Sequence, residues 1–121
     1  MRRTVLHFLD DIEAALDRIL KYTRGLTREA FLANPVVRDA VAWNFEVIGE
    51  AVKNLPDDLK ARYPAVEWRK IAGLRDAMVH GYFRIDYEVL WGIIEDDVPH
   101  FHNRIRDILI EEELREAGQK R

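Results

Sequence analysis

The sequence predicts an all-α fold, a single-domain antiparallel bundle of four to five helices, and three observations carry that prediction. Apolar residues recur at three- and four-residue spacing through most of the 121 positions, which is the period of one helix face. The joints between these stretches hold helix-boundary residues: Thr27, Asn34-Pro35, Gly81 and Asp86. No stretch shows strand-like alternation, and there is no internal repeat or glycine-rich loop.

The first helix is predicted from about Thr4 to about Tyr22, where Val5, Phe8, Leu9, Ile12, Leu16, Ile19 and Leu20 share a face, and it ends before Gly25. Thr27, with Glu29 in the following turn, caps a short second segment that stops at Asn34-Pro35. Asn34 caps the next helix, and Pro35 suits its first turn because the missing N–H has no partner there. From Pro35 to Leu55 the apolar arc is broad (Val37, Ala40, Val41, Phe45, Ile48, Ala51, Val52), so this helix is expected at the centre. Pro56-Asp57 opens a short helical turn that runs through Tyr63 and is ended by Pro64. Glu67 to His80 is predicted helical, with Ile71, Leu74 and Met78 inward and Gly81 as the left-handed terminator. Asp86 caps a last long segment, Tyr87 to about Leu114, which Pro99 kinks or divides by removing a backbone hydrogen bond. Residues 1–114 are read as the domain and 115–121 as a polar, frayed tail.

Composition narrows the function. With 48% hydrophobic and 34% charged residues the chain can bury a core, so it is not a disordered tail. No run reaches the roughly 18–20 apolar residues of a membrane span, and the N-terminal apolar stretch is too short for a signal peptide. Zero cysteines exclude a disulfide scaffold, a thiolate nucleophile and a Cys-rich zinc site, and fit a reducing, cytoplasmic setting. The formal net charge of −3 argues against a global basic field for nucleic acid. That total hides an imbalance: between Trp68 and Arg84 stand Arg69, Lys70, Arg75 and Arg84 against Asp76 alone, so this stretch carries +3 and the other 104 residues −6.

Several features read as structural. His100 and His102 sit i, i+2, about 200° apart on a helix, and so cannot share one ion unaided; they are read as surface histidines and no metal site is expected. Glu95-Asp96-Asp97 and Glu111-Glu112-Glu113 lack a calcium loop and are read as solvated helix faces. Trp43, Trp68 and Trp91 lie at or beside apolar stripes and are read as core or interface packing. Glu46 and Glu50 form a like-charge i, i+4 pair, either solvated or facing a basic group across an interface.

The segment Ile71 to Phe83 differs. Helical register puts Arg75 at the edge of the buried face, where a guanidinium needs a partner. Asp76 and His80 are i, i+4 neighbours, so the carboxylate can hold one imidazole nitrogen, and the helix C-terminus also favours imidazolium. Those influences keep His80 in a range useful for proton transfer, with Tyr82 just past the glycine. A second Arg-x4-His, Arg2 to His7, has no acidic residue after its arginine and no tyrosine after its histidine, and is read as a decoy.

Arg75-Asp76-Ala77-Met78-Val79-His80-Gly81-Tyr82 matches Arg-x4-His-x-Tyr, and with it the chain resembles the HEPN domains, specifically the HepT-like ribonuclease toxins of prokaryotic toxin–antitoxin pairs. Val47 to Leu55, Glu67 to Ile71 and Asp86 to Trp91 are also similar to that family, and the likeness covers about residues 4–112. The resemblance implies a helical HEPN-like homodimer in which two motifs share a cleft, cutting RNA without metal or cofactor. It implies Arg75 and His80 as catalytic residues. It further implies a type VII-like pairing with a nucleotidyltransferase-fold antitoxin that transfers AMP to Tyr82. Residue chemistry is compatible: attack by an RNA 2′-hydroxyl on its own phosphate needs a base, an acid and a cation for the developing charge. His80 would move protons, Arg75 would hold the phosphorane, and Asp76 would orient His80. A twofold dimer supplies two histidines where one chain has one. The class-distinct alternatives are a non-catalytic helical subunit that binds substrate or nucleotide for a nucleotidyltransferase, and a purely structural dimer with a salt-bridged helix end.

Overall fold

The computed structural model describes residues 2–74, 79–80 and 84–119, and within them the chain is mostly helical. The elements are α1 (Arg2–Thr23), α2 (Arg28–Leu32), α3 (Pro35–Lys53), α4 (Asp57–Arg62), α5 (Trp68–Ala72), β1 (Val79–His80), β2 (Arg84–Ile85), α6 (Tyr87–Asp96) and α7 (Val98–Gln119). α1 runs antiparallel to α3 and to α7. The Arg18 Nε donates to Asn44 Oδ1 at 2.7 Å, while His102 pairs with Asp17 and Arg106 with Glu13.

The predicted apolar stripes are the core. Leu9, Ile12, Leu16 and Ile19 of α1 meet Val41, Phe45, Ile48 and Val52 of α3, with Leu90, Ile94, Ile105 and Ile108 closing the other side, and all are buried. Phe31 of α2 packs on Trp91 of α6, ring centroids 5.2 Å apart. Three predicted caps are formed. Thr27 Oγ1 accepts from the Ala30 N–H, Asn34 Oδ1 from the Val37 N–H, and Asp86 Oδ1 from the Glu88 and Val89 N–H groups. Each satisfies a donor that the first helical turn leaves without a partner. Gly25, at φ 76°, turns the chain after α1. The division expected near Pro99 falls at Asp97, and the proline sits in the first turn of α7, where it costs no backbone bond.

Four expectations are corrected. The helix predicted from Glu67 to His80 stops at Ala72; Gly73 interrupts it, helical backbone resumes at Leu74, and His80 lies on a strand. Glycine is a poor helix residue and β-branched Val79 a good strand one. β1 and β2 pair antiparallel, Val79 with Ile85 and His80 with Arg84, where no strand was expected. The last helix, expected to end near Leu114, continues to Gln119, and Arg115 Nε stands 3.5 Å from Glu112. Of the tryptophans read as core or interface packing, Trp68 and Trp91 are buried in the core and Trp43, 68% exposed, is not a core residue. Lastly, Glu112 is not on a solvated face: it is fully buried. Gly81 and Met78 lie outside the described residues.

Candidate functional site

The motif is flanked by elements that both rest on α3. On the upstream side, Trp68 buries its ring and its indole N–H donates to the Tyr63 carbonyl at 3.1 Å, which fixes the start of α5. α5 then lies close along α3 at Gly49, where a Cβ would stand 3.6 Å from the Ala72 carbonyl oxygen. On the downstream side, Asp86 starts α6 and Tyr87 returns to the other end of α3. The Arg38 guanidinium sits 4.6 Å over the Tyr87 ring, and the Tyr87 hydroxyl donates to Asp39 Oδ1 at 3.0 Å. Burial and the Asp39 carboxylate together push the Tyr87 hydroxyl above its ordinary pKa, so it stays a donor. Gly49 and Arg38 are about 16 Å apart at 1.5 Å per helical residue. One helix thus anchors both flanks of the stretch holding Arg75, Asp76, His80 and Tyr82.

Arg75, Asp76 and Tyr82 lie outside the described residues, and His80 is described by its backbone, opposite Arg84. Because His80 is on β1, the reasons drawn from helical register and from a helix C-terminus do not apply to it. The local excess of cations does reach the surface: Arg69, Lys70 and Arg84 are exposed, and Lys70 stands 4.0 Å from its neighbour Glu67.

Two depressions adjoin these elements. A cavity of about 230 Å³ is lined by Phe45, Ile48, Ile71, Leu74 and Phe101 together with the polar residues Lys70, Asp96, Asp97, His100 and Arg104. A shallower groove of about 350 Å³ runs beside exposed Trp43, with Phe8, Val47 and Ala51 as apolar lining and Asp11, Glu46 and Glu50 as acidic lining. Among the described residues no group of three His, Asp or Glu is placed to hold a metal ion, and no helix is long and apolar enough to cross a membrane.

Sequence reasoning missed two polar clusters. The first is Arg38, Asp39 and Tyr87, for which no motif gives a signal. The second joins α4 to α7: Arg62 donates to both oxygens of Glu112, Nη2 to Oε1 at 2.8 Å and Nε to Oε2 at 3.2 Å, and the Tyr63 hydroxyl lies 2.7 Å from both Glu112 Oε2 and Glu111 Oε2. Burial and the two carboxylates raise the Tyr63 pKa, and the hydrogen bond to Glu112 raises that of Arg62. Here a signal existed, because Glu112 continues the buried stripe Ile105, Ile108, Leu109 by three residues.

Comparison with known proteins gives a consistent picture. The family described as Ribonuclease HepT-like matches residues 12–108. A protein of Methanocaldococcus jannaschii, provisionally named an RNase, is 41% identical over 108 residues, covering 89% of both chains. A Thermococcus cleftensis protein named Probable ribonuclease HepT is 36% identical over 108 residues, 89% of this chain and 98% of its own. A third relative, from Caldanaerobacter subterraneus and also provisionally named an RNase, is 35% identical over 106 residues, 88% of this chain and 91% of its own. No solved structure matches the chain.

Proposed function

From a chain that belongs to the HepT-like ribonuclease family, we infer an endoribonuclease that cuts RNA by 2′-hydroxyl attack, without a metal ion. The observation that carries this reading is the coincidence of the family match with an Arg-x4-His-x-Tyr motif whose two flanks are pinned to one helix beside exposed Arg69, Lys70 and Arg84. In the reaction, a base removes the 2′-hydroxyl proton and the oxygen attacks the adjacent phosphorus. The bond to the 5′-oxygen then breaks as an acid returns a proton to it, leaving a 2′,3′-cyclic phosphate and a 5′-hydroxyl. His80 is the proton-transfer residue, and two copies in a homodimer would serve as base and acid. Arg75 offers a planar fork of donors to the phosphorane oxygens, and Asp76 is assigned to orienting His80.

The same reading makes the protein the toxin of a pair whose nucleotidyltransferase antitoxin places AMP on Tyr82. That modification adds bulk and a negative phosphate beside Arg75, where the RNA phosphate would lie. Incubation of purified protein with RNA in excess chelator tests the nuclease assignment: wild type cuts, Arg75→Ala and His80→Ala do not. Wild-type cutting no better than the His80 variant overturns it, and loss on chelation overturns the metal-free route. Intact mass after incubation with the neighbouring gene's product and ATP should rise by AMP, and Tyr82→Phe should abolish the rise.

A further inference from the structure

We propose that Arg38, whose guanidinium carbon stands 4.6 Å over the Tyr87 ring, binds a backbone phosphate of the RNA a few nucleotides from the one that is cut. Arg38 is half-buried and its Nε is fully buried without a hydrogen-bond partner, and among the described residues no carboxylate pairs with it. A cation so placed is normally satisfied by an anion. The acids next to Arg38 and Tyr87 in the sequence make other contacts. Asp39 accepts from the Tyr87 hydroxyl, Asp86 caps α6, and Glu88 is bonded to Arg28. The Asp39 contact therefore fixes the ring on which the guanidinium lies. The Tyr87 ring lies beside the guanidinium as a cation–π partner, and a guanidinium's donors lie in its own plane, in the arrangement that matches phosphate oxygens.

Position relates this site to the motif. His80 pairs with Arg84 across the two strands, a separation of about 5 Å between Cα atoms, and Tyr87 follows Arg84 by three residues, at most about 11 Å. The Tyr87 backbone thus lies within about 16 Å of His80, a reach that a few nucleotides of extended strand span. Exposed Arg84 stands between the two and extends the cationic track. The assignment rests on the reading of residues 75–82 as the cutting site only for where this phosphate falls relative to the cleavage.

The test uses the full chain with a fluorescently labelled, fully 2′-O-methylated RNA oligonucleotide, which cannot be cut by 2′-hydroxyl attack, titrated at several salt concentrations. Arg38→Gln should weaken binding about ten-fold and reduce the slope of log affinity against log salt by about one. Arg38→Lys should keep the slope and recover part of the affinity, since it keeps the charge and loses the flat fork. With cleavable RNA, Arg38→Gln should raise KM and leave kcat near wild type. Equal melting temperatures establish that the variants fold; if the glutamine variant does not, the lysine variant and Tyr87→Leu, which removes the stack, carry the comparison. Wild-type affinity and salt slope in the folded variants overturn the proposal. If wild type binds the methylated strand with an Arg38-dependent slope yet cuts no RNA, the nuclease reading fails and the phosphate site stands. Should wild type cut RNA with Arg38→Gln unaffected in binding and KM, the phosphate site fails alone.

Discussion

Replacing Arg62 by alanine should lower the melting temperature by about 12 °C. Glu112 has no exposed side-chain surface, while Arg62 keeps 25% of its own. Arg62→Ala removes both guanidinium bonds and leaves the carboxylate buried with the Tyr63 hydroxyl and the partly exposed Arg115. Breaking a buried pair by deleting one partner costs about 3–5 kcal/mol, and the remaining Tyr63 and Arg115 contacts place this case at the low end, about 3 kcal/mol. Unfolding entropy near 60 °C is about 2.1 cal/mol/K per residue, hence about 0.25 kcal/mol/K here, so each kcal/mol is worth about 4 °C. Calorimetric or circular-dichroism melts at pH 7 read the shift directly. The double variant Arg62→Met with Glu112→Leu, which removes both charges, should melt within a few degrees of wild type, because an apolar pair of similar volume avoids the desolvation cost. A fall below about 4 °C for Arg62→Ala, meaning about 1 kcal/mol, would show that solvent screens the pair and that it does not tie α4 to α7.

Other outcomes follow from the same structure. Trp91→Ala should cost about 3–5 kcal/mol, as expected for a buried aromatic, whereas Trp43→Ala at its exposed position should change stability by less than about 0.5 kcal/mol; equal losses in urea melts would contradict the packing described. Asn34→Ala and Thr27→Ala should each cost about 1 kcal/mol through the lost N-cap bond, read from the same melts. Above pH 10 stability should fall steeply. Tyr63 and Tyr87 both have folded pKa values raised above the ordinary tyrosine value. Stability from them is therefore complete below the unfolded pKa and is lost as pH rises towards the folded ones, with a limiting slope of about 1.4 kcal/mol per pH unit for one tyrosine. Tyr63→Phe should flatten that alkaline slope, and an unchanged slope would refute the assignment.

Much of the fold was legible because its signals are local. Caps at Thr27, Asn34 and Asp86 depend on side chains within three residues of the bond they make, and the stripes of α1 and α3 follow the helical period. Val79 and His80 were read as helical because Ile71, Leu74 and Met78 keep helical spacing, while the pairing of Val79 with Ile85 and His80 with Arg84 is set by a neighbouring strand. Glu112 required knowledge of where α4 docks, since Arg62 and Tyr63, which hydrogen-bond its carboxylate, come from there. Trp43 could have been placed from the wheel alone: it stands two residues from Val41 and from Phe45, about 200° off the buried stripe. The motif residues were recognisable as chemistry, but the local reason given for His80, a helix end, gave way to a strand. The Arg38–Tyr87 stack joins residues far apart in sequence and left no local trace.

The most direct test of the central claim is the chemistry of the RNA ends produced in excess chelator. A 2′,3′-cyclic phosphate on one fragment and a 5′-hydroxyl on the other are expected, with both lost in His80→Ala. Fragments ending in 3′-hydroxyl and 5′-phosphate, or cutting that persists in His80→Ala, would contradict the claim.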